Sequence, residues 1–334
     1  MFVPPRICNE KLTGIKLERI NQTINLEYIT NGNVVTPGAE TRPELDEEMI
    51  HKRNVAIDVM DGYDPNLDAS INQHSIYHLY EYEYQTRFLD DIPRSQYHGF
   101  YEIKSRFLCC RYVICGIDDY MTKKKPLELF AIRRNGDIYI GSNKSSDNSF
   151  PNEAAKEAAF GGLNFPKKVT KGGNSQNLNV HHSVVRQFNI RNQRSQKSMT
   201  IFISSVVRAF DKNEDVVELK TIGNKTIGKL ENLQGLKARS WWLRALLSGA
   251  RRIVYGVRKN DMTINEIHEA TIEDFTTGHF QFKEGRLFNE VFKIFEKIDK
   301  VLDHHDMCLI NLNPFQPMSV KITSSESLKK SPFW

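Results

Sequence analysis

Apolar residues recur along the chain at two spacings, and each spacing predicts a different kind of element. Short apolar runs bounded by turn residues predict strands near residues 14–30, 127–141, 199–210, 215–222, 308–312 and 319–322. Apolar positions three and four apart predict helices near residues 74–88, 101–118, 236–249 and 287–304, and the start of another at 153–160. From the first strands to about residue 55 the chain is polar and predicts a loop. This mixture favours an α/β fold in which helices flank a mixed central β-sheet.

The segment from residue 215 to residue 258 predicts a strand, a helix and a second strand. Residues two apart on a strand point to the same face, so Glu218 and Lys220 would project together. A carboxylate beside an ammonium group can bind a divalent cation and stabilise a phosphate during its transfer. The helix that follows ends at Gly249, a residue typical of helix C-termini. Glu218 and Lys220 are therefore the first candidate site residues.

Two further motifs lie in this segment, namely the adjacent Trp241 and Trp242 on the helix and the run Val254–Arg258 on the second strand. We expect one tryptophan to pack in the core and the other to line a pocket. Together with the Glu-Leu-Lys-Thr strand, these motifs resemble the DXO-type family of RNA decapping nucleases and pyrophosphohydrolases. Other runs similar to that family lie at residues 14–17, 26–29, 61–63 and 136–140. The resemblance covers most of the chain and implies a DXO-like fold.

The same resemblance implies that most of the family's metal ligands are missing. A metal-binding glutamate of the family follows a Gly-aromatic-x-aromatic run, and the corresponding position here is Pro166. The two acidic positions of the family's next strand carry Ser205 and Val207, and a substrate-holding glutamine is replaced by Arg244. We call these positions, with the surviving pair, the remnant pocket; it comprises Pro166, Ser205, Val207, Glu218, Lys220 and Arg244.

A single carboxylate would leave Mg²⁺ or Mn²⁺ mostly hydrated and weakly held, so we expect no metal cofactor and no catalysis. Nearby acidic residues in the run Asp211–Asp215 are typical of a solvated turn rather than of a ligand set. The expected protein is thus a degenerate, catalytically inactive homologue of the decapping nucleases. The alternative is an active metal-dependent RNA 5′-end pyrophosphohydrolase or decapping exonuclease with a rearranged site.

The resemblance also implies a cellular role. The chain is similar to a nuclear germline branch of the family, whose partners are the heterochromatin protein Rhino and the adaptor Deadlock. The function so implied is a nuclear scaffold in piRNA-precursor transcription, which counters RNA processing and transcription termination and holds protein partners or RNA 5′ ends. A module that binds only proteins, without RNA contact, is a further alternative.

Length and composition limit the function classes. The chain has 334 residues with no evident linker, which predicts one large domain over residues 1–323 and a flexible C-terminal tail over 324–334. No apolar run is long enough for a membrane span or a signal peptide. Five cysteines without a Cys-x-x-Cys pair indicate a reducing compartment and no zinc framework. Of these, Cys109, Cys110 and Cys115 are expected to pack in the core.

The net charge of +5 is mild, so local basic clusters matter more than the whole-molecule field. The segment 186–197 is basic and contains no acidic residue, which predicts either an RNA-contacting segment or a simple surface loop. The same two interpretations apply to the other clusters. The candidate RNA-binding residues are Lys167, Lys168, Arg186, Arg191, Arg194, Arg251, Arg252 and Arg258. Two histidine pairs, His181–His182 and His304–His305, lack the spacing of a helical metal site and are expected at the surface.

Overall fold

The fold is known here from a computed structural model, which describes residues 14–19, 26–38, 42–63, 75–92, 100–142, 152–172, 180–223, 230, 233, 235–277, 280–302 and 307–322. Within those ranges the helices are α1 (Glu47–Ile50), α2 (Ile76–Thr86), α3 (Arg111–Lys123), α4 (Glu153–Val169), α5 (Gly235–Ser248), α6 (Ile272–Thr276) and α7 (Gly285–Val301). The first strands are β1 (Ile15–Arg19), β2 (Glu27–Asn31), β3 (Val34–Pro37), β4 (Glu44–Leu45), β5 (Ile57–Asp58), β6 (Tyr101–Glu102), β7 (Phe107–Cys110), β8 (Leu127–Arg134) and β9 (Asp137–Ser142). The later strands are β10 (Thr170–Lys171), β11 (Val180–Asn192), β12 (Lys197–Val207), β13 (Ala209–Phe210), β14 (Val216–Gly223), β15 (Arg252–Arg258), β16 (Thr263–Thr271), β17 (Met307–Leu312) and β18 (Ser319–Ile322).

The larger of two sheets has 11 strands within the described residues, in the order β18-β17-β8-β9-β7-β12-β11-β2-β3, with β1 paired to β11 and β6 paired to β12. It is mixed, because β7 runs parallel to both β9 and β12 while β11 and β12 form a long antiparallel pair. Helix α7 packs against β1 and β11 of this sheet. Its Phe288, Phe292 and Phe295 recur at spacings of four and three residues and are buried, as helical periodicity predicts.

The smaller sheet has seven strands in the described part of the chain, in the order β10-β4-β13-β14-β15-β16-β5. Its β14 and β15 are parallel neighbours, and α5 is the helix that connects them. The predicted strand-helix-strand unit is therefore confirmed. Helix α5 packs against β14 of the smaller sheet and also against β11 and β12 of the larger one. This helix thus joins the two sheets, and it lies between the strands that carry Ser205 and Glu218.

The α/β fold with mixed sheets and flanking helices is confirmed, but several local predictions were wrong. The segment to residue 55 is not a continuous loop, since β3, β4 and α1 lie within it. The segment 101–118 is not one helix, because β6 and β7 precede α3 there. The segment 186–197 is not a surface loop, since most of it extends β11, and its Gln187 and Asn189 are buried in the sheet. The strands predicted near residues 199–210 and 215–222 correspond mainly to β12 and β14, which belong to two different sheets rather than to one central sheet.

Both tryptophans of α5 are buried in the core, which corrects the expectation that one would line a pocket. The ring of Trp241 lies 5.4 Å from that of Tyr255, and the ring of Trp242 lies 5.7 Å from that of Phe282. Cys109 belongs to the same core, in agreement with a packing role.

Among the described residues, no helix is both long and apolar enough to cross a membrane. The proposed boundary of the domain at residue 323 stays a prediction. The expected tail at 324–334 lies outside the described residues, as does the pair His304–His305.

Candidate functional site

Glu218 and Lys220 lie on β14 and point to the same side, as the two-residue period of a strand predicts. Lys220 Nζ donates to Glu218 Oε2 at 2.5 Å. The Glu218 side chain is only 6% exposed and that of Lys220 15% exposed, so the ion pair is largely shielded from water. Such a pair is stable only if the remaining lone pairs of the carboxylate are also satisfied.

A second cation reaches the same carboxylate from a distant part of the chain. Arg111, the first residue of α3, donates through Nη1 to Glu218 Oε1 and through Nη2 to the carbonyl oxygen of Val206 at 3.0 Å. Ser248, at the end of α5, donates its hydroxyl to Glu218 Oε1 at 3.1 Å. Both carboxylate oxygens are therefore occupied by protein donors. No sequence pattern singles out Arg111, because it is 107 positions from its partner.

The electrostatics of this cluster are dominated by positive charge. Burial alone would raise the pKa of Glu218, but the charges of Arg111, Lys220 and Arg244 hold that pKa well below its usual range. Burial lowers the pKa of Lys220 to about 8, against the opposing influence of Glu218. Burial and the charge of Arg111 lower the pKa of Arg208 to about 10. One carboxylate thus lies among four basic side chains.

The other positions of the remnant pocket provide no carboxylate. Pro166 is buried within α4, and its carbonyl oxygen accepts the hydroxyl of Thr170 at 2.7 Å. Ser205 is fully buried on β12, where its hydroxyl lies 3.4 Å from the carbonyl oxygen of Leu247. Val207, also on β12, is part of the core. In the part of the chain that is described, no group of three or more histidine, cysteine, aspartate or glutamate residues is arranged to hold a metal ion.

Three of the eight candidate RNA-binding residues form ion pairs with acidic residues of the same chain. Lys168 Nζ lies 2.5 Å from Asp61 Oδ2. Arg191 Nη2 lies 3.0 Å from Glu18 Oε2. Arg252 is held by two carboxylates, those of Glu47 and Glu269, each at 2.7 Å. Part of the charge of these residues is therefore already neutralised within the protein.

Three other candidates, Lys167, Arg194 and Arg258, are partly buried or pack against neighbouring groups of the protein. Lys167 is partly buried, and burial together with Lys168 and Arg208 lowers its pKa. Burial likewise lowers the pKa of Arg258, whose Nη1 donates to the sulfur of Met262 at 3.4 Å. The aliphatic part of Arg194 packs over the backbone at Gly14, where a Cβ would lie 3.0 Å from its Cγ.

The two remaining candidates, Arg186 and Arg251, lie near Arg19 at the end of α5. Gly249 follows α5 with φ +80°, and its carbonyl oxygen accepts a hydrogen bond from Arg19 Nη1 at 3.1 Å. A Cβ on Gly249 would lie 3.0 Å from that Nη1 and 3.3 Å from Arg186 Nε. The two guanidinium groups therefore lie against the same backbone position. Arg19 is not in any basic run of the sequence, so local composition did not reveal it.

The adjacent histidines on β11 are buried, which corrects the expectation that they lie at the surface. His182 Nε2 lies 2.8 Å from Glu27 Oε2, and Arg42 donates two hydrogen bonds of 2.9 Å to the same carboxylate. His181 is buried beside it in the strand. These contacts join β2 and β11 and give the histidines a packing role.

Comparison with known proteins identifies the family of the chain. Residues 49–326 match the model of a family described as RAI1-like PD-(D/E)XK nucleases. The chain belongs to this family. The resemblance to decapping nucleases is thereby confirmed at the level of the family. A search of curated proteins found no match.

Solved structures of the family share the fold. Candida albicans Rai1, in complex with pU5 and Mn²⁺, is 15% identical, with 93% of each chain covered and a TM-score of 0.63. S. pombe Rai1 is 14% identical over 93% of this chain and 100% of that one, with a TM-score of 0.62. K. lactis Dxo1, in complex with manganese, is 13% identical over 96% of this chain and 92% of that one, with a TM-score of 0.62. At this level of identity the likeness concerns the fold.

Proposed function

We propose that this chain is a catalytically inactive member of the RAI1-like family and acts as a scaffold. The observation that carries the proposal is the buried cluster in which Arg111, Lys220 and Ser248 all donate to Glu218. In this arrangement, protein side chains occupy the carboxylate oxygens that a metal ion would need.

Binding of Mg²⁺ or Mn²⁺ at Glu218 would meet three obstacles at once. The ion would displace Arg111 and Lys220 from the carboxylate, leaving two largely buried cations without their partner. It would enter a region where Arg208 and Arg244 add further positive charge. It would find one protein carboxylate, whereas phosphoryl-transfer sites hold the metal with carboxylates and substrate oxygens together. The donor set therefore does not fit a resident catalytic metal.

The cellular role follows from the sequence resemblance. Within the family, the chain is similar to Cutoff, a germline nuclear factor associated with Rhino and the adaptor Deadlock in piRNA-precursor transcription. By that similarity the protein is nuclear, its partners belong to a heterochromatin-bound complex, and it counters RNA processing and transcription termination. It would do so by occupying transcripts or partner proteins rather than by turnover.

The deciding experiment is an assay of RNA 5′-end chemistry. The purified protein is incubated with 5′-triphosphate, 5′-monophosphate and capped RNAs in Mg²⁺ or Mn²⁺, beside a Glu218→Ala variant, and binding and product are recorded from the same samples. We expect no product from either protein. A metal-dependent product that disappears in Glu218→Ala would overturn the proposal and support an active enzyme with a rearranged site.

The binding signal in the same samples separates an RNA scaffold from a module that binds only proteins. Contacts between basic side chains and RNA phosphates weaken as salt rises, because binding releases counterions. An RNA scaffold therefore shows salt-sensitive binding without product. A protein-only module shows neither product nor RNA binding.

A further inference from the structure

Arg19 and Arg186 come from two strands and lie against the backbone at the end of α5, and Arg251 lies in the short segment that follows this helix; we call these three residues the arginine cluster. Arg19 ends β1 and donates to the carbonyl oxygen of Gly249. Arg186 lies on β11 with its Nε close to the same glycine. Arg251 follows α5 two residues after Gly249, and the pKa of Arg19 is lowered by burial and by the charge of Arg251. The cluster thus concentrates positive charge from three parts of the sequence.

The three arginines of the cluster lack an acidic partner within the described residues, whereas several other arginines of the protein have one. Arginines that form ion pairs include Arg42, Arg106, Arg133, Arg191, Arg239 and Arg252. Within the described residues, no carboxylate lies at ion-pair distance from Arg19, Arg186 or Arg251. The acidic residues whose charges act on Arg19 and Arg186 are Asp215 and Glu27. Glu27 is already bound by Arg42 and His182.

The side chain of Arg186 also contains an unsatisfied hydrogen-bond donor. Its Nε–H is buried and has no acceptor among the described residues. Burial and the charge of Arg19 both lower its pKa, because a second guanidinium nearby disfavours the charged form. A polyanionic ligand would relieve that repulsion. A phosphate group suits two adjacent guanidinium groups, because each can donate to it in a planar, two-pronged geometry.

The position of the cluster indicates which polyanion would bind. Ser248 donates to Glu218 in the remnant pocket, and the next residue, Gly249, binds Arg19 of the cluster. A strand of nucleic acid that lies across the protein beside the remnant pocket would therefore also have phosphates beside the cluster. The position of the cluster next to the remnant pocket would not favour the binding of an acidic protein segment.

We propose that Arg19, Arg186 and Arg251 form a binding site for backbone phosphates of single-stranded RNA, outside the remnant pocket and without a metal ion. The proposal rests on the scaffold function given above, which it extends by naming the surface that holds the RNA. Because the contacts are to phosphates, the site binds RNA without reading its sequence.

The test compares two double variants that remove the same charge. In Arg19→Gln/Arg251→Gln both altered residues are exposed members of the cluster, so the protein should fold. In the control, Arg53→Gln/Arg134→Gln, both arginines are exposed on other parts of the fold. Binding of a 3′-labelled oligouridine with a 5′-monophosphate is followed by fluorescence anisotropy in EDTA over a range of salt concentrations. Thermal unfolding of each protein verifies the fold.

We expect the cluster variant to bind about tenfold more weakly at low salt, and the control to bind nearly as the unaltered protein does. The logarithmic dependence of affinity on salt should become shallower by about 0.7 for each phosphate that the variant no longer binds. Adding Arg186→Gln to the cluster variant should weaken binding and flatten the salt dependence further.

Two results would overturn the inference. Equal losses in the cluster variant and the control would mean that overall charge, and not the cluster, holds the RNA. Absence of RNA binding by the unaltered protein would also contradict it, and cluster-dependent binding of a polyglutamate peptide would then assign the surface to an acidic protein. Neither readout depends on product formation, so failure of this inference is distinguishable from failure of the inactive-scaffold proposal.

Discussion

The remnant pocket and the arginine cluster contact consecutive residues at the end of α5, yet they use basic residues in opposite ways. Ser248 contacts the first and Gly249 the second. In the remnant pocket, Arg111 and Lys220 surround a buried carboxylate that satisfies them. In the arginine cluster the guanidinium groups have no such partner among the described residues. The presence of a buried carboxylate therefore distinguishes the region that stabilises the fold from the region that is available to a ligand.

The comparison predicts that substitutions in the two regions affect different measurements. Removing a charge from the remnant pocket leaves a buried ion without its partner, and the free energy of unfolding should fall. Removing a charge from the arginine cluster relieves repulsion between like charges, so stability should change little while RNA binding falls. Four substitutions or conditions, in order of decreasing effect, test this division.

The largest effect is expected for Glu218→Gln. The amide keeps the shape of the side chain but leaves Arg111 and Lys220 without a counter-charge, so the free energy of unfolding should fall by about 3–5 kcal/mol. Urea denaturation of both proteins at pH 7 measures this change.

The matched control is Glu214→Gln, which breaks the exposed ion pair between Glu214 and Arg42. Because the Glu214 side chain is 69% exposed, this change should cost less than about 1 kcal/mol. Equal effects in the two variants would contradict the view that the buried cluster at Glu218 holds the fold together.

The second effect is a dependence of stability on acid pH. The pKa of Glu218 is lowered on folding, so its contribution to stability is present above the ordinary glutamate pKa and is lost as pH falls towards the folded value. Below about pH 4.5 the free energy of unfolding should therefore fall by about 1.4 kcal/mol more per pH unit in the unaltered protein than in Glu218→Gln. Denaturation series from pH 7 to pH 3 compare the slopes. Parallel slopes would mean that Glu218 is not strongly paired.

The third prediction concerns the backbone at Gly249, against which the arginine cluster packs. Gly249→Ala forces a non-glycine residue into a left-handed conformation, which should cost about 1 kcal/mol of stability. Its new Cβ would also lie 3.0 Å from Arg19 Nη1 and force that guanidinium to shift by a few tenths of an ångström, so oligouridine binding should weaken slightly as well.

Gly136→Ala provides the control for that change. Gly136 has nearly the same backbone angle, φ +82°, but a Cβ there meets nothing within 4 Å. It should lose a similar amount of stability while RNA binding stays unchanged. A loss of RNA binding in both variants would assign the effect to general destabilisation rather than to the position of Arg19.

The sequence predicted those parts of the site that depend on local order. The shared face of Glu218 and Lys220 follows from the two-residue period of a strand, and Gly249 at the end of α5 follows from its tolerance of positive φ. Arg111 and Arg19 were not predicted, because their roles depend on pairing across 107 and 230 positions of sequence. No local pattern marks such partners.

The errors in the fold have a similar origin. The polar residues Gln187 and Asn189 suggested a loop, but they are buried in β11, where Asn189 Oδ1 accepts the hydroxyl of Thr200 on β12 at 3.1 Å. The apolar run around Cys109–Cys110 suggested a helix, because a short buried strand and a buried helix have the same composition. In both segments the secondary structure depends on the strands that pair across the sheet. A short window of sequence does not reveal those partners.

The smallest expected effect is that of Mn²⁺ on thermal stability. A metal ion that binds the folded protein at a concentration about one hundred times its dissociation constant would add about 2.7 kcal/mol to the free energy of unfolding, which raises the melting temperature by several degrees. Because Arg111 and Lys220 already occupy the carboxylate of Glu218, we expect the melting temperature in Mn²⁺ to equal that in EDTA. A rise in the unaltered protein that is absent from Glu218→Gln would place a metal at the remnant pocket. The division between a pocket whose carboxylate is bound by protein donors and an arginine cluster without a carboxylate would then fail, because the carboxylate that distinguishes them would serve as a metal ligand.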